Sequence, residues 1–162
     1  MACHVQVVCF NLPAMKIKTQ RGRRSGCPIN VVLETVGDSW SLLIVRDLMF
    51  KEKKTFNEFQ NAEEKIATNI LSDRLQRLDH AGIVIKQSNL NDARRYIYRL
   101  TEKGIDLAPM LIEMFLWAAR HEKTAASPAV IREMTRNREA FIADLRSRWK
   151  NGRREATQPL RA

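Results

Sequence analysis

Between Thr55 and Leu100 the hydrophobic period changes from helical to alternating, and this succession constrains the fold more than any other feature of the chain. Thr55 is placed to cap a short helix that runs to Gln60, with Phe56 and Phe59 three apart on one face. Asn61–Lys65 is a polar turn. A second helix is predicted from about Thr68 to His80, ending at Ala81-Gly82, where glycine suits a left-handed C-terminal cap. Ile70, Leu71, Leu75 and Leu78 form its apolar side, and Thr68, Asn69, Ser72, Asp73, Gln76 and Arg77 its polar side. Ile83-Val84-Ile85 then reads as a strand, Asn89, Asn91 and Asp92 as a polar tip, and Arg95–Leu100 as a second strand. In that strand Tyr96, Tyr98 and Leu100 share one face, and Arg95, Ile97 and Arg99 the other. The pattern predicts a hairpin with a long, basic tip.

The flanks are helical. Ile29–Val36 follows Cys27-Pro28 as a short helix, Gly37-Asp38 breaks it, and Ser39 is placed to cap the next. That helix, Trp40–Phe50, aligns Trp40, Leu43, Ile44, Asp47 and Leu48, with Arg46 off the stripe; Lys51–Lys54 is a polar connection. Thr101 is placed to cap one helix from Glu102 to about Arg120, the most apolar segment of the chain. A helix apolar nearly all round is buried, and a small domain cannot cover it on every side alone. Met110, Leu111, Met114, Phe115 and Trp117 are therefore expected to meet helices of a second subunit. Ser127-Pro128 opens one further helix to about Trp149, and the Arg-rich remainder, Lys150–Ala162, is expected to lack structure.

A chain of 162 residues fits one domain with extensions, divided as a basic leader over 1–24, a DNA-binding and dimerisation domain over 25–121, and a helical extension with a basic tail over 122–162. The net charge of +10 points to a polyanionic partner, but its placement matters more. Residues 1–33 hold five bases and no acid, and residues 132–162 hold nine bases against four acids, so the middle is neutral. Binding of nucleic acid by the middle must rest on local placement of bases. Cys3, Cys9 and Cys27 form neither a disulfide framework nor a zinc signature. Val5–Phe10 is apolar but short, with no preceding base, and no stretch approaches a membrane span; a soluble, cytoplasmic, nucleoid-associated protein is expected. Met15 opens a segment more like an ordinary bacterial start than the residues before it, so residues 1–14 are expected to be a disordered leader or to precede the true start.

Two short helices joined by a turn, followed by a hairpin, is the order of a winged helix-turn-helix. The expected fold is mainly α with a small β-hairpin, extended by N- and C-terminal dimerisation helices. In such a fold the second helix enters the major groove, about 12 Å wide, and the hairpin reaches the neighbouring minor groove or phosphates. Thr68, Asn69, Ser72, Asp73 and Arg77 are the candidates for that groove, with Thr68 and Asn69 where the helix dipole favours a phosphate. Asp73 either accepts from a cytosine amino group or pairs with Arg77 four residues on. Arg74 either clamps a phosphate or pins the domain internally. Arg94 and Arg95 suit backbone or minor-groove contact, against the plainer reading of charged edge decoration. Lys54, Thr55 and Lys86 complete the candidate set. Trp40, Phe56, Phe59, Tyr98 and Trp117 read as core or interface rather than as a stacking platform for single strands.

With these elements in place the sequence resembles the HxlR-type winged-helix regulators, relatives of the MarR group. The matching pieces are Cys27-Pro28, GDSWSLLIVRDL over 37–48, FNEF over 56–59, IATNILSDRL over 66–75, Gly82-Ile83-Val84 and YRLTEKG over 98–104, in order across roughly residues 25–121. The wing departs from the family, which often has proline before the second strand where this chain has Asp92-Ala93-Arg94. The resemblance implies a homodimer built from the terminal helices, bound to a palindromic operator near its own or a neighbouring gene, most simply as a repressor, with an oxidant or small molecule as inducer. It also implies that Cys27, in the Cys-Pro position, is a candidate sensor of electrophiles or oxidants. Arg21, Arg23 and Arg24 nearby would favour its thiolate, whereas the plainer reading is a small buried residue near a dimer interface. Cys3 and Cys9 are incidental.

His4, His80 and His121 are scattered, and there are no paired carboxylates, no glycine-rich phosphate loop and no ligand cluster. No catalysis, cofactor or metal is expected. The competing reading is a sequence-nonspecific nucleic-acid-binding protein that acts through its basic tails. A thiol enzyme using Cys27 would need a His or Asp partner at recognisable spacing, and none is present.

Overall fold

A computed structural model describes the backbone of residues 23–89 and 92–157, and the side chains of these except 89, 92–94 and 153–157. The expectations for residues 1–22, including Met15, Cys3, Cys9 and Arg21, lie outside the described residues. The architecture is the expected one: mostly helical, with one two-stranded antiparallel hairpin. No helix among the described residues is long and apolar enough to cross a membrane.

Helix α1 spans Pro28–Val36, with proline in its first turn, where its missing N–H is not needed. Helix α2 spans Ser41–Phe50. Its amides are capped by Asp38 rather than by Ser39: Trp40 and Ser41 N–H donate to Asp38 Oδ1 at 2.9 and 3.0 Å, and the Ser41 hydroxyl donates to Oδ2. A carboxylate two or three residues upstream reaches these donors and carries a charge suited to the helix dipole.

Helix α3 (Phe56–Gln60) begins with the predicted Thr55 cap, completed by Glu58 as a capping box. Helix α4 (Thr68–His80) ends as predicted: Gly82 has φ +67°, its N–H donates to Asp79 O, and Ile83 N–H reaches back to Leu78 O, both at 2.9 Å. This double bond pattern with buried Leu78 and Ile83 is the Schellman arrangement.

The hairpin strands β1 (Val84–Asn89) and β2 (Asp92–Leu100) are longer than expected and the tip correspondingly shorter. Val84 pairs with Leu100 and Ser88 with Tyr96, with an irregularity between Ser88 and Asn89. Of the polar residues that suggested a loop, Asn89 and Asp92 pair in the ladder instead, because this end of the ribbon has no core to impose alternation. At its base the ribbon gains a bridge from Thr55 to Ile97, and Tyr98 N–H donates to Lys54 O at 2.7 Å.

Two helices expected as single rods are each divided. Thr101 caps α5 (Glu102–Ile105), its side chain accepting from Gly104 N–H at 3.1 Å, but α6 starts afresh at Ala108 and runs to His121. Pro109 lacks the N–H that would continue the ladder to Ile105 O, so it stands in the first turn of a new helix. Likewise α7 (Pro128–Arg136) and α8 (Arg138–Thr157) are separated by Asn137, whose Oδ1 accepts from Ala140 N–H at 3.2 Å. Helix α8 also continues past Lys150 to Thr157, where no structure was expected; the run Arg153-Arg154-Glu155-Ala156 propagates a helix well, against the weaker formers Asn151 and Gly152.

One core joins these elements. Ile44 and Val45 of α2, Phe59 of α3, Leu71, Leu75 and Leu78 of α4, and Val84, Tyr98 and Leu100 of the hairpin are buried together. Phe59 and Tyr98 meet edge to face at 6.1 Å between ring centres. Met134 of α7 and Leu145 of α8 enter the same core, so the C-terminal helices are packed onto the domain rather than appended to it.

Candidate nucleic-acid interface

Helix α4 separates its two sides cleanly. Leu71, Leu75 and Leu78 are 0–2% exposed, whereas Thr68, Asn69, Ser72, Asp73, Gln76 and Arg77 are all exposed. The leucines hold the helix against α2, α3 and β1, which leaves a short-polar face directed away from the domain. Ala67 occupies the N-cap and supplies no side-chain acceptor, so the first-turn amides of α4 keep their donors for another partner.

Of the two readings of Arg74, the structure contains the internal one. Its Nε donates to Asp38 Oδ1 at 2.8 Å and Nη1 pairs with Asp73, and its side chain is 19% exposed. Asp38 thus ties the start of α2 to the middle of α4. Its carboxyl is held below the ordinary aspartate range; burial acts upward, but hydrogen bonds from Ser41, Trp40 and Arg74 outweigh it. Asp73 also pairs with Arg77 at 3.2 Å, the predicted i,i+4 contact. Arg77 stays two-thirds exposed at 66%, against 19% for Arg74.

Beneath this pair of helices lies a second ionic cluster, which sequence reasoning missed. Asp47, 3% exposed, accepts from Arg46 and from Lys53 Nζ at 2.9 Å. Arg46 grips Glu64 with two bonds of 2.6 and 3.1 Å, and this hydrogen bonding holds the Glu64 carboxyl at about 2. The bidentate pair fixes the turn between α3 and α4 to α2. Arg46 off the apolar stripe was the available signal, but its partner Glu64 lies in a turn with no periodicity to locate it.

The remaining candidates surround α4 unevenly. Lys54 is exposed. The Thr55 hydroxyl is engaged in the capping box, donating to Glu58 Oε2 at 2.8 Å. On the hairpin, Lys86 Nζ stands 3.8 Å over the ring of Tyr96, a cation–π contact between diagonal cross-strand neighbours. Arg95 is exposed, and the Arg94 side chain lies outside the described residues.

Among the candidate interface residues, Leu111 is 8% exposed and belongs to the chain's own core, and Met110 and Phe115 are partly covered by it. Met114 and Trp117 face outward at 48% and 56%. The N-terminal helix α1, expected to take part in dimerisation though no residue of it was singled out, carries a matching stripe: Ile29, Val32 and Leu33 are 70%, 37% and 55% exposed at i, i+3, i+4 spacing. Cys27, just before α1, is exposed rather than buried. Of its basic neighbours, Arg24 turns to Glu34 at 3.2 Å instead of toward the thiol.

The comparisons with known proteins agree with this geometry. Residues 35–126 match the model of the HxlR-like helix-turn-helix family. The chain is 29% identical over 97 residues to the HTH-type transcriptional regulator YdeP of Bacillus subtilis, itself uncharacterised, spanning 60% of this chain and 75% of that protein. Among solved structures it resembles PA1607 with a TM-score of 0.58 and 33% identity, covering 65% of this chain and 72% of the other. It also resembles the oxidised form of the redox regulator HypR, with a TM-score of 0.54 and 28% identity over 60% of this chain and all of HypR.

Proposed function

This chain belongs to the HxlR-like helix-turn-helix family of transcriptional regulators, and from that premise we propose that it is a homodimeric, sequence-specific repressor that binds duplex DNA and performs no catalysis. The observation that carries the proposal is the exposed polar face of α4 opposite three buried leucines. Thr68 and Asn69 approach the backbone at the helix N-terminus, Ser72 and Arg77 meet base edges with Asp73 orienting Arg77, and the hairpin residues Lys86, Arg94 and Arg95 lie along the adjoining groove. Lys54 adds a phosphate contact. Arg74 acts indirectly, by fixing α4 on α2 through Asp38.

Dimerisation proceeds through the apolar stripes of α1 and α6, Ile29, Val32 and Leu33 with Met114 and Trp117, which stay exposed among the described residues. Two such subunits present two α4 helices to a palindromic operator. The protein acts in the cytoplasm, on the nucleoid. Cys27, exposed at the entrance to the α1 stripe, is the proposed sensor: alkylation or oxidation there alters the dimer and so the operator affinity. The likeness to HypR, a redox regulator, supports this reading.

A gel shift with DNA upstream of the protein's own gene, in excess competitor, tests both parts. A discrete shift that a quinone releases in the wild type and not in Cys27→Ser is expected. Smearing that competitor abolishes would favour nonspecific binding by the basic tails, and equal release from Cys27→Ser would remove the sensor role.

A further inference from the structure

Helix α8 lies beyond the residues matched by the family model, and with the rest of the domain it lines an open cavity of about 290 Å³. Its walls are the C-terminal end of α2, the base of β2 and one side of α8. The volume is at the lower end of the roughly 300–1,000 Å³ of small-molecule sites, enough for one ring system but not for a nucleotide.

The lining is amphipathic in a specific way. Leu145 is 2% exposed, and the Trp149 indole is fixed by its Nε1–H, which donates to Leu100 O at 2.9 Å. These are apolar surfaces held in place by the fold. Into the same space comes Arg99 from β2. Its Nη1 donates to Gly152 O at 2.9 Å, but its Nε is buried and has no hydrogen-bond partner among the described residues. A buried guanidinium N–H without an acceptor is rare, because the group gives up water and receives nothing in return. Nε shares its donor edge with Nη2, and that edge grips a carboxylate through two parallel bonds. Lys54 and Arg148, the latter paired with Asp144, add positive charge to the lining, against the one lining carboxylate, Glu52.

We propose that this cavity binds a small aromatic carboxylate, with the ring against Trp149 and Leu145 and the carboxylate on Arg99, and that occupancy changes operator affinity. A bare inorganic anion would leave the apolar walls wet, and a neutral aromatic would leave Arg99 Nε unpaired. A rotation of the terminal Arg99 torsions brings the donor edge to the ligand. The coupling route is short: β2 carries Arg99 and, four residues earlier, Arg95 of the hairpin. The Lys54 carbonyl that receives Tyr98 N–H immediately precedes the Thr55 cap of α3. A ligand between β2 and α8 therefore bears on both the hairpin and the first helix of the pair. Only the coupling rests on the DNA-binding reading; the site does not.

Calorimetric titration of the full chain with benzoate, and with benzamide as its neutral counterpart, tests the site. Saturable binding of one benzoate per chain is expected, weakened roughly ten- to a hundredfold in benzamide and in Arg99→Gln. Asn151→Trp, at the exposed rim, blocks entry and serves if Arg99→Gln fails to fold. No saturable binding of benzoate or phenylacetate at millimolar concentration, or equal binding by wild type and Arg99→Gln, overturns the proposal. With the upstream DNA, benzoate is expected to change the affinity of the wild type and not of Asn151→Trp. Binding without that change overturns the coupling. Failure of the ligand-free protein to shift DNA counts against the DNA-binding reading and leaves the calorimetry to judge the cavity.

Discussion

Arg74 and Arg77 lie three residues apart on α4 and have different tasks. Arg74 is held by Asp38 and Asp73, whereas Arg77 pairs with the half-exposed Asp73. Arg77→Ala is expected to weaken operator binding by about 1–3 kcal/mol in fluorescence anisotropy, with a smaller loss on random DNA and no change in melting temperature. An equal loss on both DNAs would make Arg77 a phosphate contact. At Glu64 the signature is a pH dependence. Arg46 holds the folded carboxyl at about 2, below the 4.5 of the free group, so the pair stabilises the fold above that higher value and the gain is lost as the pH falls toward the lower one. Because Glu64 is partly solvated, Glu64→Gln is expected to remove only about 0.5–1 kcal/mol at neutral pH. Its urea midpoint should fall less steeply than the wild type's on acidification; parallel curves would contradict the assignment.

Helix ends decide the architecture at the next scale. Gly82 ends α4 in the left-handed region and turns the chain into β1, and a Cβ there would meet nothing within 4 Å. Gly82→Ala is therefore expected to destabilise through backbone strain alone, by about 1–2 kcal/mol in denaturant unfolding, with operator affinity retained in the folded fraction. A neutral substitution would mean that the turn relaxes. Ends of this kind are legible in sequence, as Thr55 with Glu58, Thr101 and Gly82 demonstrate. Ends within continuous periodicity are not: apolar residues run through Pro109, and helix formers run on both sides of Asn137, so each pair of helices reads as one. The hairpin reads shorter in the sequence than it is, for the opposite reason. Its outer residues are polar on both faces, and polarity resembles a loop wherever a strand has no core to face.

Across the whole molecule, one core holds the α2–α4 unit, the hairpin and the C-terminal helices, while α1 and α6 keep apolar surface outside it. Sequence pattern names interface candidates on α6 and none on α1, although both terminal helices are expected to dimerise, because an exposed stripe and a core-facing stripe have the same period; only the burial of neighbouring elements separates them. The cavity under α8 is illegible for a related reason, since it depends on Arg99 meeting Gly152 and Leu100 meeting Trp149 across some fifty residues of chain. Trp117→Glu, at a position 56% exposed, is expected to yield a folded monomer by light scattering and to weaken operator binding by at least about tenfold, since one α4 then replaces two. A dimer that persists would move the interface elsewhere. The central claim, that paired α4 helices read a specific palindrome, is tested most directly by a nuclease footprint on the DNA upstream of the gene, in competitor DNA and at physiological salt. The account predicts two protected half-sites whose centres lie about 10–10.5 base pairs apart or a multiple of that, lost together in Trp117→Glu. Uniform protection that tracks salt and ignores sequence would contradict it.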